Sequence, residues 1–260
     1  MEHKGAIIDL DDVLFPTSEY TGKVMNYSVA AMIRQGLKAE QEEALEMLGN
    51  IRKREGSNAY NHFDLLCQVY NPHEDNPQRI VQAGVAAYHS LRERLWVPQD
   101  ENDPFLNFLE AEGIRMSIVS KGLKNKQWFK IIKLGIVDYF VQRDEFGDVS
   151  KGFVYIMPDD HPDPTQGKQE LVGKAMKDME ADPARSFVID DRPYGIVAAK
   201  KAGVRYGIRL KRGKYSTEKC PKDTDKVLRP DFEVANLEQA IDVISEHILT
   251  GPTMSVKPAS

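Results

Sequence analysis

The sequence predicts an α/β protein: a doubly wound, Rossmann-like parallel sheet with an inserted α-helical domain. Three observations predict it. Short apolar runs of strand length alternate with amphipathic helical patterns over much of the chain. One long interval, between the first such run and the second, holds helical patterns alone. Acidic residues gather at the ends of the apolar runs, where an open parallel sheet binds its ligands.

The first run is Ala6–Leu10, in "GAIIDLDDVLF", followed by Met116–Ser120, Tyr139–Gln142, Ser186–Ile189 and Val204–Ile208. "DPFLNFLEAEGI" precedes the second run and "NKQWFKIIKLGI" follows it; "QELVGKAMKDME" precedes the fourth and "GIVAAKKAG" follows it. Each has the period of a helix with one apolar face. Gly113, Gly135 and Gly203 stand where such helices should stop. In the long interval, Met25, Val29, Met32 and Ile33 recur at helical spacing, and "EEALEMLGNIRKR" and "RIVQAGVAAYHSLRERL" behave likewise. The breaker-rich "YNPHEDNPQ" reads as a loop between two of these helices. The expected organisation is therefore a core of residues 1–16 and 98–250, with residues 17–97 a helical cap over the sheet. The last stretch, "GPTMSVKPAS" at 251–260, reads as a frayed tail.

At 260 residues the chain can bury a full core without covalent staples. Cys67 and Cys220 lie far apart, and no apolar secretory run precedes Gly5, so free thiols and a cytoplasmic location are expected. No stretch is long and apolar enough for a membrane span. The net charge is -5 and the lysines and arginines are scattered, which argues against nucleic acid as the main ligand. A small anionic substrate remains compatible, and a homodimer remains open.

Asp9 and Asp11, two apart on extended backbone, can both address one crevice while Leu10 points into the sheet. Taken alone, an Asp-rich turn would explain them equally well. The other run ends shift the balance. "IVSKG" puts the Ser120 hydroxyl and the following backbone N–H groups at the same edge, and "FVIDDRPYG" adds Asp190 and Asp191. Carboxylates on neighbouring strand ends repel unless a cation neutralises them. An all-oxygen cluster with room for water suits Mg²⁺, and a lysine should offset the remaining charge.

"DLDDVL", "IVSKG", a lysine ahead of the fourth run, and "VIDDRPYGIVAAKKAG" together resemble the four motifs of the haloacid-dehalogenase-like (HAD) hydrolase superfamily. The helical insertion after the first motif resembles its C1-capped subfamily. "EGSNAYNHFDLL", "VAAYHS" and "GLKNKQWFKIIKLGIVDYF" are similar to archaeal-type members acting on small phosphate esters.

The resemblance implies that Asp9 is a nucleophile forming an aspartyl-phosphate and that Asp11 is the acid and base. Dehalogenases of the superfamily lack an acid at that position, so Asp11 points to phosphoryl chemistry. Ser120 with the Lys121 and Gly122 amides would grip the phosphoryl oxygens. Mg²⁺ would be held by Asp9, the Asp11 backbone carbonyl, Asp190 and Asp191, with Asp191 favoured over Asp190 as the direct ligand; a helix-capping role is the alternative for either. Two lysines compete for the cationic motif. Lys168 in "TQGKQEL" enters the helix leading to the fourth run and is favoured; Lys151 in "VSKGFVYIM" matches better counted forward from the third run. "GFVYIMPDDHPDPTQG" is then an insertion.

His3, His62, His73, His89, His161 and His247 show no metal-ligand spacing, and His62 reads as a packed or capping residue. "PDDHPDP" and "RLKRGKYS" read as solvated loops. The leading expectation is a cytoplasmic Mg²⁺-dependent phosphatase of a small phosphorylated metabolite. A phosphomutase using the same aspartyl-phosphate is one alternative. A non-catalytic binding or regulatory protein is another, against which the Asp9 and Asp11 pair argues.

Overall fold

The computed structural model describes residues 3–143, 145–147 and 149–250; the expected tail at 251–260 lies outside them. The chain divides into two compact units, one formed by the segments up to Pro16 and from Pro98 onward, the other by Thr17–Val97.

The first unit carries a six-stranded sheet of β1 (Gly5–Ile8), β2 (Arg115–Lys121), β5 (Val154–Met157), β6 (Phe187–Asp190), β7 (Tyr206–Leu210) and β8 (Phe232–Val234). A two-stranded antiparallel ribbon, β3 (Val141–Arg143) with β4 (Val149–Gly152), stands apart from it. The sheet order is β5-β2-β1-β6-β7-β8 and every pairing is parallel. From β1 the chain winds outward through β2 to β5, then returns to the other side of β1 and winds outward through β6, β7 and β8. The winding direction therefore switches between β1 and β6, whose carboxyl ends open a crevice. Strands buried on both faces read as nearly continuous apolar runs, which is why "GAII" and "FVID" lack polar alternation.

The connections are α5 (Asn102–Ala111), α6 (Lys124–Leu134), α7 (Pro164–Asp178), α8 (Pro193–Lys201) and α9 (Leu237–Val243), the last continued by a π-helical turn. On one face, Ile7, Val119 and Val188 meet Val172, Ala175 and Met176 of α7 and Ile196 and Ala199 of α8. α5 packs on β2 and α9.

The third expected strand is corrected. Val137–Phe140 is a 3-10 turn leading into the ribbon, and the strand beside β2 is Val154–Met157, from the segment expected to be an insertion. Both runs are short and apolar; pairing with β2 decides between them, and pairing is not a local property. β8 is a three-residue edge strand that the sequence pattern does not announce.

The second unit is helical throughout its regular structure: α1 (Thr17–Arg34), α2 (Gln41–Glu55), α3 (His62–Tyr70) and α4 (Pro77–Leu95). Val29, Met32, Leu48, Ile51, Leu66 and Ile80 lie in its core. His62 is buried, one ring nitrogen 2.8 Å from the Gly56 carbonyl oxygen. Cys67 and Cys220 are both free. No described helix is long and apolar enough to cross a membrane.

Candidate active site

The site lies where the two central strands end. The Asp9 N–H donates to the Ile189 carbonyl at 3.0 Å, which fixes the end of β1 against β6. The chain then turns sharply: Asp12 adopts φ 57, its N–H donates to Phe15 O at 2.7 Å, and Phe15 N–H donates to Leu10 O at 2.9 Å. Left-handed backbone suits the short polar side chain of Asp. Leu10, Val13, Leu14 and Phe15 are buried by this turn, while Asp9 and Asp11 are held at the sheet edge.

Asp9, Asp190 and Asp191 are buried together, and each presents an oxygen within 4.8 Å of the others'. Lys168 enters this cluster from α7. Its ammonium donates to Asp9 Oδ1 at 2.7 Å and to Asp190 Oδ2 at 2.5 Å, with its side chain only 2% exposed. The direction of α7 is set locally. Asp163 accepts from the Thr165 and Gln166 N–H groups as an N-cap and Pro164 fills the first turn, so "PDDHPDP" serves the helix start. Lys151 lies elsewhere, on β4, its ammonium donating to the Asp178 carbonyl.

One ammonium faces three carboxyls, and the protonation equilibria reflect it. Burial, reinforced by Asp190 and Asp11 and opposed by Lys168, pushes Asp9 up to about 7. Burial, with repulsion from Asp190, Asp9 and Asp12, pushes Asp191 up to about 9. Burial alone would lower Lys168, but Asp190 and Asp9 hold it well above the usual lysine value, so it stays charged. Asp190 is engaged at both oxygens, Oδ2 by Lys168 and Oδ1 by the Arg192 N–H at 2.8 Å. Asp191 is thus the carboxyl with most to gain from a cation. Gly195 lets α8 approach this close: a Cβ there would stand 1.9 Å from Asp190 Oδ2.

Ser120, at the end of β2, is buried, with the Gln127 amide nitrogen 3.0 Å from its Oγ. The Gly122 amide does not face the crevice as expected; it donates to the Met157 carbonyl of β5 at 2.9 Å, because β5 extends alongside the motif. The Asp11 carboxylate stands outside the three-carboxyl group. It is paired with the Lys130 ammonium, and the Gln127 amide nitrogen lies 2.8 Å from Asp11 Oδ2. The sequence reading passed over Gln127 and Lys130. Their signal is a polar pair three residues apart on the helical face that also carries Ile131 and Leu134.

A buried carboxylate cluster and a lysine at the switch point of a doubly wound sheet define an α/β enzyme site. The chain belongs to the haloacid dehalogenase-like hydrolases, whose family model matches residues 3–203. It is 31% identical to the glyceraldehyde 3-phosphate phosphatase of Methanopyrus kandleri over 249 residues, 94% of this chain and 97% of that protein. It is 29% identical to the Methanocaldococcus jannaschii enzyme of the same name, covering 93% of this chain and 96% of that one. Among solved structures, the HAD phosphatase of Thermococcus onnurineus superposes with a TM-score of 0.55 at 16% identity, over 94% of this chain and 99% of that one.

Two outcomes follow from this geometry. Because Asp9 and Asp191 are raised from 3.8 to about 7 and about 9, the folded metal-free protein retains protons that the unfolded chain has released. This stabilisation is complete below the unfolded value and drains as pH rises through about 7 and then about 9. Thermal unfolding of the chelator-treated protein should fall over that window, and a divalent cation should raise the midpoint more at the alkaline end than at the acidic end. A midpoint that rises with pH without metal would contradict the carboxyl assignment. Separately, Gly195→Ala should destabilise by about 1–3 kcal/mol in urea unfolding, because overpacking forces Asp190 off Lys168, and should weaken the cation-induced stabilisation.

Proposed function

We propose that this chain is a Mg²⁺-dependent phosphatase that hydrolyses a small phosphorylated metabolite through an aspartyl-phosphate on Asp9. The observation that carries the reading is Lys168 bridging Asp9 and Asp190 inside a buried three-carboxylate cluster at the switch point. The phosphatase relatives, matched over nearly their full length, support it and make glyceraldehyde 3-phosphate the first substrate to try. The same reading assigns Thr17–Val97 as a C1-type cap domain.

The donor set fits a hard cation: three carboxylates carry more negative charge than one lysine balances, and all donors are oxygen. Asp9, Asp191 and Asp190 would hold it, with the Asp11 backbone carbonyl. Bound there, Mg²⁺ would offset the repulsion between Asp9 and an incoming phosphate dianion.

The protein's own groups supply the rest. An Asp9 carboxylate oxygen attacks phosphorus and the bond to the leaving alkoxide breaks, while Asp11 gives that oxygen its proton. Asp11, now a carboxylate, takes a proton from water, whose oxygen attacks the same phosphorus and returns Asp9 and inorganic phosphate. Lys168 steadies the ionised Asp9 through both steps. The Ser120 hydroxyl and the Lys121 amide orient the phosphoryl oxygens, which is positioning and electrostatics. Two carboxyls two residues apart take different parts because their surroundings differ: Asp9 is buried against Lys168, and Asp11 has a side chain 29% exposed.

Phosphate release from 4-nitrophenyl phosphate and from glyceraldehyde 3-phosphate should require Mg²⁺ and stop on chelation. Full turnover by protein shown to be metal-free would end the metal-dependent reading. Asp9→Asn should abolish turnover and the phosphoenzyme seen by mass spectrometry after an acid quench. Lys168→Ala should lower turnover by about 10²-fold or more, whereas Lys151→Ala should change it little, since its ammonium binds the Asp178 carbonyl.

A further inference from the structure

We propose that Lys130 and Gln127 are positioning residues that clamp the Asp11 carboxylate for proton transfer; the inference rests on the acid and base role proposed for Asp11. Both residues come from α6, one turn apart, and both are buried, at 3% and 2% exposure. Lys130 donates to Asp11 Oδ1 and Gln127 reaches Asp11 Oδ2. A carboxylate held at each oxygen by a different rigid donor loses its freedom to rotate, which is what a proton-transfer group needs.

The burial is asymmetric in an informative way. The ammonium of the pair is shielded, with the Phe15 ring 5.6 Å from it, while the carboxylate side chain keeps 29% exposure. A stabilising ion pair alone would account for the shielding of Lys130. It does not account for Gln127, whose amide nitrogen also lies 3.0 Å from Ser120 Oγ and 3.0 Å from the Lys121 carbonyl oxygen. One side chain thus ties the proton-transfer carboxylate to the hydroxyl proposed to orient the phosphoryl group. Gly122 makes room for it, because a Cβ there would stand 3.1 Å from the Gln127 side-chain amide, and the φ of 154° also disfavours other residues. The clamp fixes the position of Asp11 relative to the phosphoryl site, so its loss should be felt where the leaving oxygen most needs a proton.

The test compares phenyl phosphate, whose leaving group is basic, with 4-nitrophenyl phosphate, whose leaving group needs little protonation, using Mg²⁺-loaded full-length protein. Lys130→Met should lower kcat/KM, which covers only the steps through phosphoenzyme formation, about 10- to 100-fold on phenyl phosphate and far less on 4-nitrophenyl phosphate. Gln127→Leu should shift the ratio in the same direction, and Lys130→Arg, which keeps a cation, should recover part of the loss. In the Asp11→Asn background, Lys130→Met should have no further effect, since there is nothing left to position. Each variant is compared at matched unfolding midpoint and cation-induced shift. Equal losses of kcat/KM on the two substrates, or none, with Asp11→Asn itself impaired in kcat/KM on phenyl phosphate, would overturn the positioning role. Wild-type turnover of phenyl phosphate by Asp11→Asn would instead remove the acid and base role beneath it.

Discussion

The structure depends on how one buried ammonium is shared among three buried carboxyls. Lys168 touches Asp9 and Asp190, and among the described residues no cation is paired in the same way with Asp191, so the cluster at the end of β1 and β6 is short of positive charge. Such an arrangement is unfavourable for folding, because removing ionised groups from water is repaid only when each is paired. The surrounding sequence is organised to hold it regardless. Asp163 and Pro164 start α7 where Lys168 will point inward, Gly195 lets α8 come up against Asp190, and the Arg192 N–H takes the other Asp190 oxygen. The apolar strands beneath, "GAII" and "FVID", supply the rigidity against which the charges are fixed.

Concentrated negative charge of this kind is costly to a fold that makes no use of it. A protein that used the fold only as a scaffold would gain stability by replacing Asp191 with an apolar residue, since its carboxyl is driven up to about 9 by burial and by its neighbours. Keeping the carboxyls makes sense when a divalent cation completes the charge balance. The raised value of Asp9 carries the same message: even with Lys168 beside it, burial holds the group up to about 7, and further positive charge would favour its anion.

Much of this was legible in the sequence because it is written locally. The runs "GAIIDLDD" and "FVIDDRPYG" announce both the central strands and their terminal carboxyls, since strand and ligand group are contiguous in an open parallel sheet. The long helical interval was legible for the same reason, its apolar spacing being a property of each helix by itself. What was not legible is what depends on partners far away in the chain. Val137–Phe140 and Val154–Met157 are similar short apolar runs, and only pairing with β2 makes the second a sheet strand. The Gly122 amide looked available until β5 took its place beside the motif and offered the Met157 carbonyl.

Lys130 illustrates the limit most sharply. In "NKQWFKIIK" it is one of several lysines on a helix, and a lysine on a helix ordinarily lies along the surface with its charge in water. The spacing puts it on the face of Gln127, Ile131 and Leu134 and Lys133 on the solvent side, but gives no reason for an ammonium to stay on the buried face. The difference is made by Asp11, which the turn at Asp12 swings toward α6 and which lies 119 positions away in sequence. Helical periodicity tells which face a residue occupies; whether that face meets lipid-like side chains or a carboxylate is decided by the strand that arrives opposite. A buried polar pair at spacing three, Gln127 with Lys130, is therefore best read as a demand for a remote acidic partner, since an uncompensated ammonium would not remain inside.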